Sequence, residues 1–238
     1  MIHLKDVIKI YSDNNVLALD KISIDIERGE FVFIVGTSGS GKSTLMKLLM
    51  HEETATSGTI IVDGRDVTHL KPKEIPYLRR NLGVIFQDYR LLEDKTVYEN
   101  VAFAMQVIEA PRKIMERSVN TVLEIVGLRE KFNCFPAQLS GGEQQRVAIA
   151  RAIVNDPRIV IADEPTGNLD PETGRDIMDI FQRVNASGTT IIMATHDKNI
   201  VDQMQRRVIA LDGGKIIRDE ACGTYSQKRS AFDKLFYR

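Results

Sequence analysis

Cysteine is scarce in this 238-residue chain: only Cys134 and Cys222 occur, far apart and outside any Cys-x-x-Cys spacing. That scarcity argues against a disulfide framework and a zinc knuckle, and it suits a reducing compartment. Long apolar runs are missing too. No stretch approaches the roughly 18–20 residues that a membrane helix needs, and the opening Met-Ile-His-Leu-Lys-Asp carries no apolar signal-peptide core. A soluble cytoplasmic chain is the expectation. Charge of one sign is also lacking: 32 Lys and Arg stand against 33 Asp and Glu, a formal net charge of −1. No global field steers such a chain to nucleic acid. Nothing repeats, and no low-complexity linker divides the sequence. At this length it can bury a substantial core as one large domain, or as one domain with a lobe.

What is present alternates between strand and helix periods. Ile22, Ile24 and Ile26 alternate with polar residues, as in a half-exposed antiparallel strand. Phe31–Val35 is continuously apolar and ends at Gly36, as expected of a buried strand in a mainly parallel sheet. Further short apolar runs are Thr59–Val62, Gly83–Phe86, Ile159–Ala162, Thr190–Ala194 and Val208–Leu211. Helical patterns occupy Lys42–Met50, Thr96–Val107, Arg112–Val126, Gly142–Asn155 and Pro171–Val184. The stretch Thr96–Asn155 carries no strand pattern although strands flank it, which reads as a helical lobe inserted into an α/β core. The expected division is a core lobe over about 1–87 and 156–220, a helical lobe over about 88–155 and a C-terminal tail over 221–238. In that tail Lys228, Arg229, Phe232, Leu235 and Phe236 suit either a short amphipathic helix or a frayed end.

Two motifs point to phosphate chemistry. Gly36-Thr37-Ser38-Gly39-Ser40-Gly41-Lys42-Ser43 is a full Gly-x-x-x-x-Gly-Lys-Ser match between a buried strand and a helix. Backbone N–H groups must close around phosphate oxygens here, and side chains at the glycines would block that approach. The helix start adds roughly half a unit of positive charge. Lys42 is placed to reach the β- and γ-phosphates, and Ser43 to ligate Mg²⁺. Further on, Ile159-Val160-Ile161-Ala162 runs into Asp163-Glu164. A carboxylate at the end of a buried strand is costly to desolvate unless a cation or hydrogen bonds pair it. Mg²⁺ is the natural partner of Asp163, while strand alternation turns Glu164 elsewhere, free to act as general base on a water.

Between these motifs lies Leu139-Ser140-Gly141-Gly142-Glu143-Gln144-Gln145-Arg146. A hydroxyl and free N–H groups at a helix start are available to an anion. Lys42 and Ser43 already fill one side of their own nucleotide. The octapeptide resembles the signature of ATP-binding-cassette (ABC) ATPases, and the resemblance covers nearly the whole chain. It implies an α/β P-loop NTPase fold: a RecA-like, mainly parallel sheet, an antiparallel β portion and an inserted helical lobe. The implied activity is ATP hydrolysis with ATP and Mg²⁺. The phosphate loop through Thr44 would hold the nucleotide, and Ser140, Gly141, Gly142 and Asp170 would complete the site of a second copy in trans. Such half-sites form a two-fold, head-to-tail homodimer around two ATP molecules.

Family resemblance assigns three more positions. Gln87 corresponds to the glutamine of the Q-loop, which approaches Mg²⁺ and the γ-phosphate. His196, after the strand Thr190–Thr195, corresponds to the switch histidine. Tyr11 stands where the family stacks an aromatic on adenine, an interaction worth about 1–3 kcal/mol by analogy with nucleic-acid sites, although packing at a strand end competes with that role. Asn168-Leu169-Asp170 resembles the loop along the dimer interface.

Leu48-Leu49-Met50-His51-Glu52-Glu53 and Phe86-Gln87-Asp88-Tyr89-Arg90-Leu91-Leu92 narrow the resemblance to the branch serving bacterial cell division. The ATPase of that branch sits at the cytoplasmic face of the membrane, with a polytopic membrane protein, FtsX, as its partner and control of peptidoglycan hydrolases as its output. Apolar Leu91 and Leu92 beside Asp88 and Arg90 suit either an interface for a partner helix or the lobe's own core. A lipoprotein- or macrolide-type exporter cassette is the nearest alternative, disfavoured by the same two passages. A soluble DNA-repair or translation cassette would carry a coiled-coil insertion or a second cassette. A dead scaffold would not keep Lys42, Asp163, Glu164 and His196 together.

Overall fold

A computed structural model describes residues 1–12 and 15–225. The tail positions Lys228, Arg229, Phe232, Leu235 and Phe236 lie outside the described residues. The chain opens with β1 (Ile2–Tyr11), β2 (Val16–Ile26) and β3 (Phe31–Val35), followed by α1 (Lys42–Leu49). Then come β4 (Ser57–Val62), β5 (Arg65–Asp66), α2 (Ile75–Arg79) and β6 (Leu82–Ile85). Three helices, α3 (Val97–Gln106), α4 (Arg112–Ile125) and α5 (Gly141–Ile153), stand between β6 and β7 (Ile159–Asp163). The chain continues through α6 (Pro171–Ala186), β8 (Thr190–Ala194), α7 (Lys198–Met204), β9 (Arg207–Asp212) and β10 (Lys215–Glu220).

Two sheets result. A six-stranded sheet has the order β10-β9-β3-β8-β7-β6, parallel apart from its edge strand β10. A four-stranded antiparallel sheet runs β2-β1-β4-β5. Strand alternation explains why β3 is apolar throughout. Phe31, Phe33 and Val35 enter the core shared with the helical insertion, whereas Val32 and Ile34 enter the core shared with α1 and the antiparallel sheet. Strands β7, β8 and β9 divide their side chains in the same way. A strand covered on both faces has no polar side, so its sequence is a continuous apolar run. Each fully buried Ile, Val, Leu or Phe contributes about 1.5–3 kcal/mol, and the sheet is thereby a rigid base for what stands at its end.

The helical insertion begins at a cap. Thr96 accepts from the Glu99 N–H while Glu99 accepts from the Thr96 N–H, a capping box that starts α3. Asn100, wholly buried, donates to the carbonyls of Leu92, Lys95 and Thr96 and accepts from the Leu92 N–H at 2.8 Å. One side chain therefore satisfies the irregular entry into the lobe. Leu91 is half-buried and packs against the lobe's core. Strand β1 had no clean alternation in sequence, because its pairing with β2 shifts register between Leu4 and Val7 and again beyond. Asp6 lies in that irregularity with φ of 49°, and a bulge puts successive side chains out of phase with the period of two.

Candidate nucleotide site

The parallel strands β3, β7 and β8 end on one edge of the sheet, and the predicted phosphate chemistry gathers there. After β3 the loop turns through Gly36 and reaches α1 by way of Gly41, whose φ is +105°. A Cβ at Gly36 would stand 2.5 Å from Ser40 Oγ, and one at Gly41 would stand 2.7 Å from the Ala18 carbonyl. Neither position tolerates a side chain. Lys42 Nζ donates to the Gly36 and Thr37 carbonyls at 2.8 and 3.0 Å, drawing the loop around its own ammonium. Ser40 is turned inward and buried beneath Gly36. A cavity of ≈ 580 Å³ opens over this loop and takes in Thr37, Ser38, Gly39, Ser43 and Thr44 together with Glu164 and His196. Tyr11 closes one wall beside Val16, Leu17 and Ala18. Its hydroxyl lies 3.3 Å from Thr44 Oγ1, and the Lys9 ammonium sits 4.8 Å from its ring centroid.

Strand β7 carries the carboxylates. Asp163 ends it, on the side of Ile159 and Ile161 that faces α1, with the Ser43 side chain among its near neighbours. Burial, followed by the neighbouring Glu164 charge, pushes the Asp163 carboxyl above its usual range, against the pull of Lys42, Lys47 and Ser43. Glu164 departs from expectation in its cause. It lies beyond β7, and a left-handed φ of 49°, not strand alternation, redirects it. That conformation costs a non-glycine residue about 1–3 kcal/mol, and the Glu164 N–H donating to the Ala194 carbonyl at 2.9 Å helps hold it. Its Oε2 lies 2.8 Å from Nδ1 of the exposed His196. Gln87 arrives from the other side: Asn168 Nδ2 donates to its carbonyl at 3.3 Å, and the side-chain amides meet at 3.5 Å. A Cβ at Gly167 would stand 3.2 Å from Gln87 Nε2 and 3.4 Å from Glu164 Oε2, so these two groups flank one glycine.

The predicted trans residues lie elsewhere. Ser140, Gly141 and Gly142 start α5 at the surface, and none of them lines the cavity over the phosphate loop. Ser140 caps α5 by accepting from the Glu143 N–H, while Glu143 accepts from the Ser140 N–H at 2.9 Å. The Ser140 amide thereby holds the Glu143 carboxyl below its usual range. The Ser-x-x-Glu spacing inside the octapeptide signals this capping box; read only as a signature, it hides the box. Side chains at the two glycines would meet Tyr89 and Leu169 at Gly141 and Thr173 at Gly142. Asp170 caps α6, accepting from the N–H groups of Glu172 and Thr173, each at 3.0 Å.

One residue joins the cavity without sequence warning, and another braces the backbone beside it. Tyr225 lines the phosphate end of the cavity, with its N–H on the Asp202 carboxylate at 2.7 Å. Arg151, far along α5, grips the Q-loop backbone. No motif marks either one.

A parallel sheet with a phosphate loop, an Asp-Glu strand end and a glycine-rich helix start on an inserted lobe defines an ATP-hydrolysing cassette. The chain belongs to the ABC transporter family, whose model matches residues 19–167. The cell division ATP-binding protein FtsE of Mycobacterium tuberculosis is 55% identical over 229 residues, spanning 96% of this chain and 100% of that protein. FtsE of Bacillus subtilis is 52% identical, spanning 94% of this chain and 98% of that protein. Among solved structures, the ATP-binding cassette MJ0796, a dimer in a post-hydrolysis state bound to ADP and Pi, superposes with a TM-score of 0.84 at 36% identity, spanning 94% of this chain and 99% of that one. The two cysteines are free, and no described helix is long and apolar enough to cross a membrane.

Proposed function

We propose that this chain is the ATP-hydrolysing subunit of a cell-division membrane complex. It closes as a two-fold dimer around two ATP molecules at the cytoplasmic face, and it works through an FtsX-type polytopic partner to control peptidoglycan hydrolases. One observation carries the dimer: the helix start at Ser140, Gly141 and Gly142 lies at the surface, exposed at its first two residues and half-buried at the third, outside the cavity of its own chain. They are half of a site whose other half belongs to a second copy. The dimeric MJ0796 cassette and the names of the cell-division relatives support the reading.

Within each composite site the phosphate loop binds through its backbone N–H groups, and Lys42 exchanges its loop carbonyls for the β- and γ-phosphates. Tyr11 offers a ring face to adenine. The desolvated Asp163 carboxylate, with Ser43 beside it, suits a hard divalent cation that takes few protein ligands and several from phosphate and water. Ser43, Asp163 and Gln87 would hold Mg²⁺, which when bound supplies positive charge against the phosphate oxygens. Glu164 accepts the proton of the attacking water, and His196 Nδ1 at 2.8 Å holds the carboxylate in line. Ser140 and the N–H groups of Gly141 and Gly142 meet the γ-phosphate across the interface, with Asp170 alongside.

The partner's place is an apolar groove of ≈ 610 Å³ between the sheet edge and the lobe. Ile75, Leu82 and Val84 line one wall and Phe103 and Val107 the other, with the exposed Arg79 and Arg80 beside them and the more buried Arg151 in the lining. Phe103 and Val107 are 43% and 54% exposed. A partner helix with an apolar face and acidic flanks fits that chemistry; Leu91 and Leu92 stand outside the groove lining. Val107→Glu should leave ATP binding by the isolated chain intact and reduce co-purification with the membrane partner at least tenfold. Normal co-purification would remove the groove from the account.

A further inference from the structure

We propose that Arg151 is a positioning residue that locks the Q-loop turn at Tyr89–Arg90 to the signature helix α5, so that the trans donors and the Q-loop move as one body. The proposal rests on the dimer reading above. After β6 the chain passes Gln87 and turns through Tyr89 and Arg90, two successive non-glycine residues with φ of 57° and 49°. Left-handed backbone is sterically unfavourable for both, so the surroundings must hold the turn. Arg151 does so with both arms of its guanidinium: Nη1 donates to the Arg90 carbonyl at 2.6 Å and Nη2 to the Tyr89 carbonyl at 2.8 Å. A planar fork fits two adjacent carbonyls in a way an ammonium cannot. Burial works against the Arg151 charge. Among the described residues no carboxylate lies within ion-pair distance of it, so backbone dipoles are what offset that burial.

The same turn meets the other end of α5. A Cβ at Gly141 would stand 3.1 Å from the Tyr89 hydroxyl oxygen, so the phenol rests on the first signature glycine. Burial pushes that phenol above its ordinary range. One helix therefore grips one turn at two places, Gly141 at its start and Arg151 near its end. Arg90 braces the outside, with its guanidinium 3.6 Å from the Phe86 ring centroid and its Nε 3.2 Å from Asp88 Oδ1. Arg151 also lines the apolar groove, so a helix seated there touches the group that sets the position of the signature half-site.

The test uses the full chain carrying Glu164→Gln, with MgATP as the probe. Two readouts are compared: ATP affinity of the dilute monomer, and the protein concentration at which ATP produces dimer. Arg151→Lys keeps the charge and loses the fork, while Tyr89→Phe keeps the fold and loses only the hydroxyl. Arg151→Lys should leave monomer affinity within about twofold and raise the concentration needed for dimer about tenfold, with Tyr89→Phe shifting it the same way by a smaller factor. Dimerisation of both variants like the Glu164→Gln parent would overturn the proposal. So would an equal loss of monomer affinity, because the contacts would then serve the chain's own fold or site. A parent that never dimerises would instead sink the dimer reading itself.

Discussion

The two halves of the ATP site are built in opposite ways. The phosphate-loop half stands at the ends of β3, β7 and β8, strands covered on both faces, and its lysine already satisfies loop carbonyls. Its shape comes from the core. The signature half is a helix start at the surface, shaped by a capping box, by the close approach of Tyr89 and Thr173 to two glycines, and by the Arg151 clip. The segment is anchored in the core through Leu139, Val147, Ile149 and Ala150, and only its exposed start is set by these local contacts. On the proposed function, the phosphate-loop half would capture the nucleotide and the signature half, riding on the lobe, would enclose it.

Perturbing each half separately should give different signatures. Glu164→Gln, on the phosphate-loop half, should keep ATP binding and slow hydrolysis by about 10²–10⁴-fold, the usual range for a lost general base. Single-turnover assays of phosphate release measure it. Lys42→Ala, on the same half, should weaken ATP binding by about 10²-fold, the scale of a lost charge-assisted contact; tight binding by that variant contradicts the assigned role. Ser140→Ala, on the signature half, should cost about 1 kcal/mol of stability through the lost cap and lower Tm by about 2–4 °C. It should weaken ATP-driven dimerisation while monomer affinity stays unchanged.

The smallest effect is one of pH. The Ser140 N–H lowers the Glu143 carboxyl in the folded chain, so the unfolded chain binds that proton more readily. The resulting stability is full above the ordinary glutamate range and is lost as pH falls through the lowered value. Glu143→Gln removes that dependence, and Tm plotted against pH should flatten on the acid side relative to the parent.

The same contrast governs what could be read from sequence. Buried parallel strands write themselves as uninterrupted apolar runs, so Phe31–Val35 and Thr190–Ala194 were legible to the residue. The phosphate loop and Asp163 followed from their places at strand ends. The missed features depend on tertiary neighbours. Strand β1 breaks its alternation at a bulge, α7 is too short to show a helical period, β10 is a mostly exposed edge strand without an apolar run, and Asn100 and Arg151 act on backbone carbonyls that no sequence spacing reveals. Glu164 takes its direction from one left-handed residue and not from strand alternation. Tyr225 reaches the cavity through the packing of Asp202 and Arg218 around its backbone, again a contact without a motif.

Enclosure of ATP by two unlike halves is the central claim, and light scattering on Glu164→Gln tests it directly. With MgATP the chain should shift from monomer to dimer, and the shift should vanish with ADP or when Lys42→Ala is added. A Glu164→Gln chain that binds MgATP yet stays monomeric at every protein concentration tried would contradict the account.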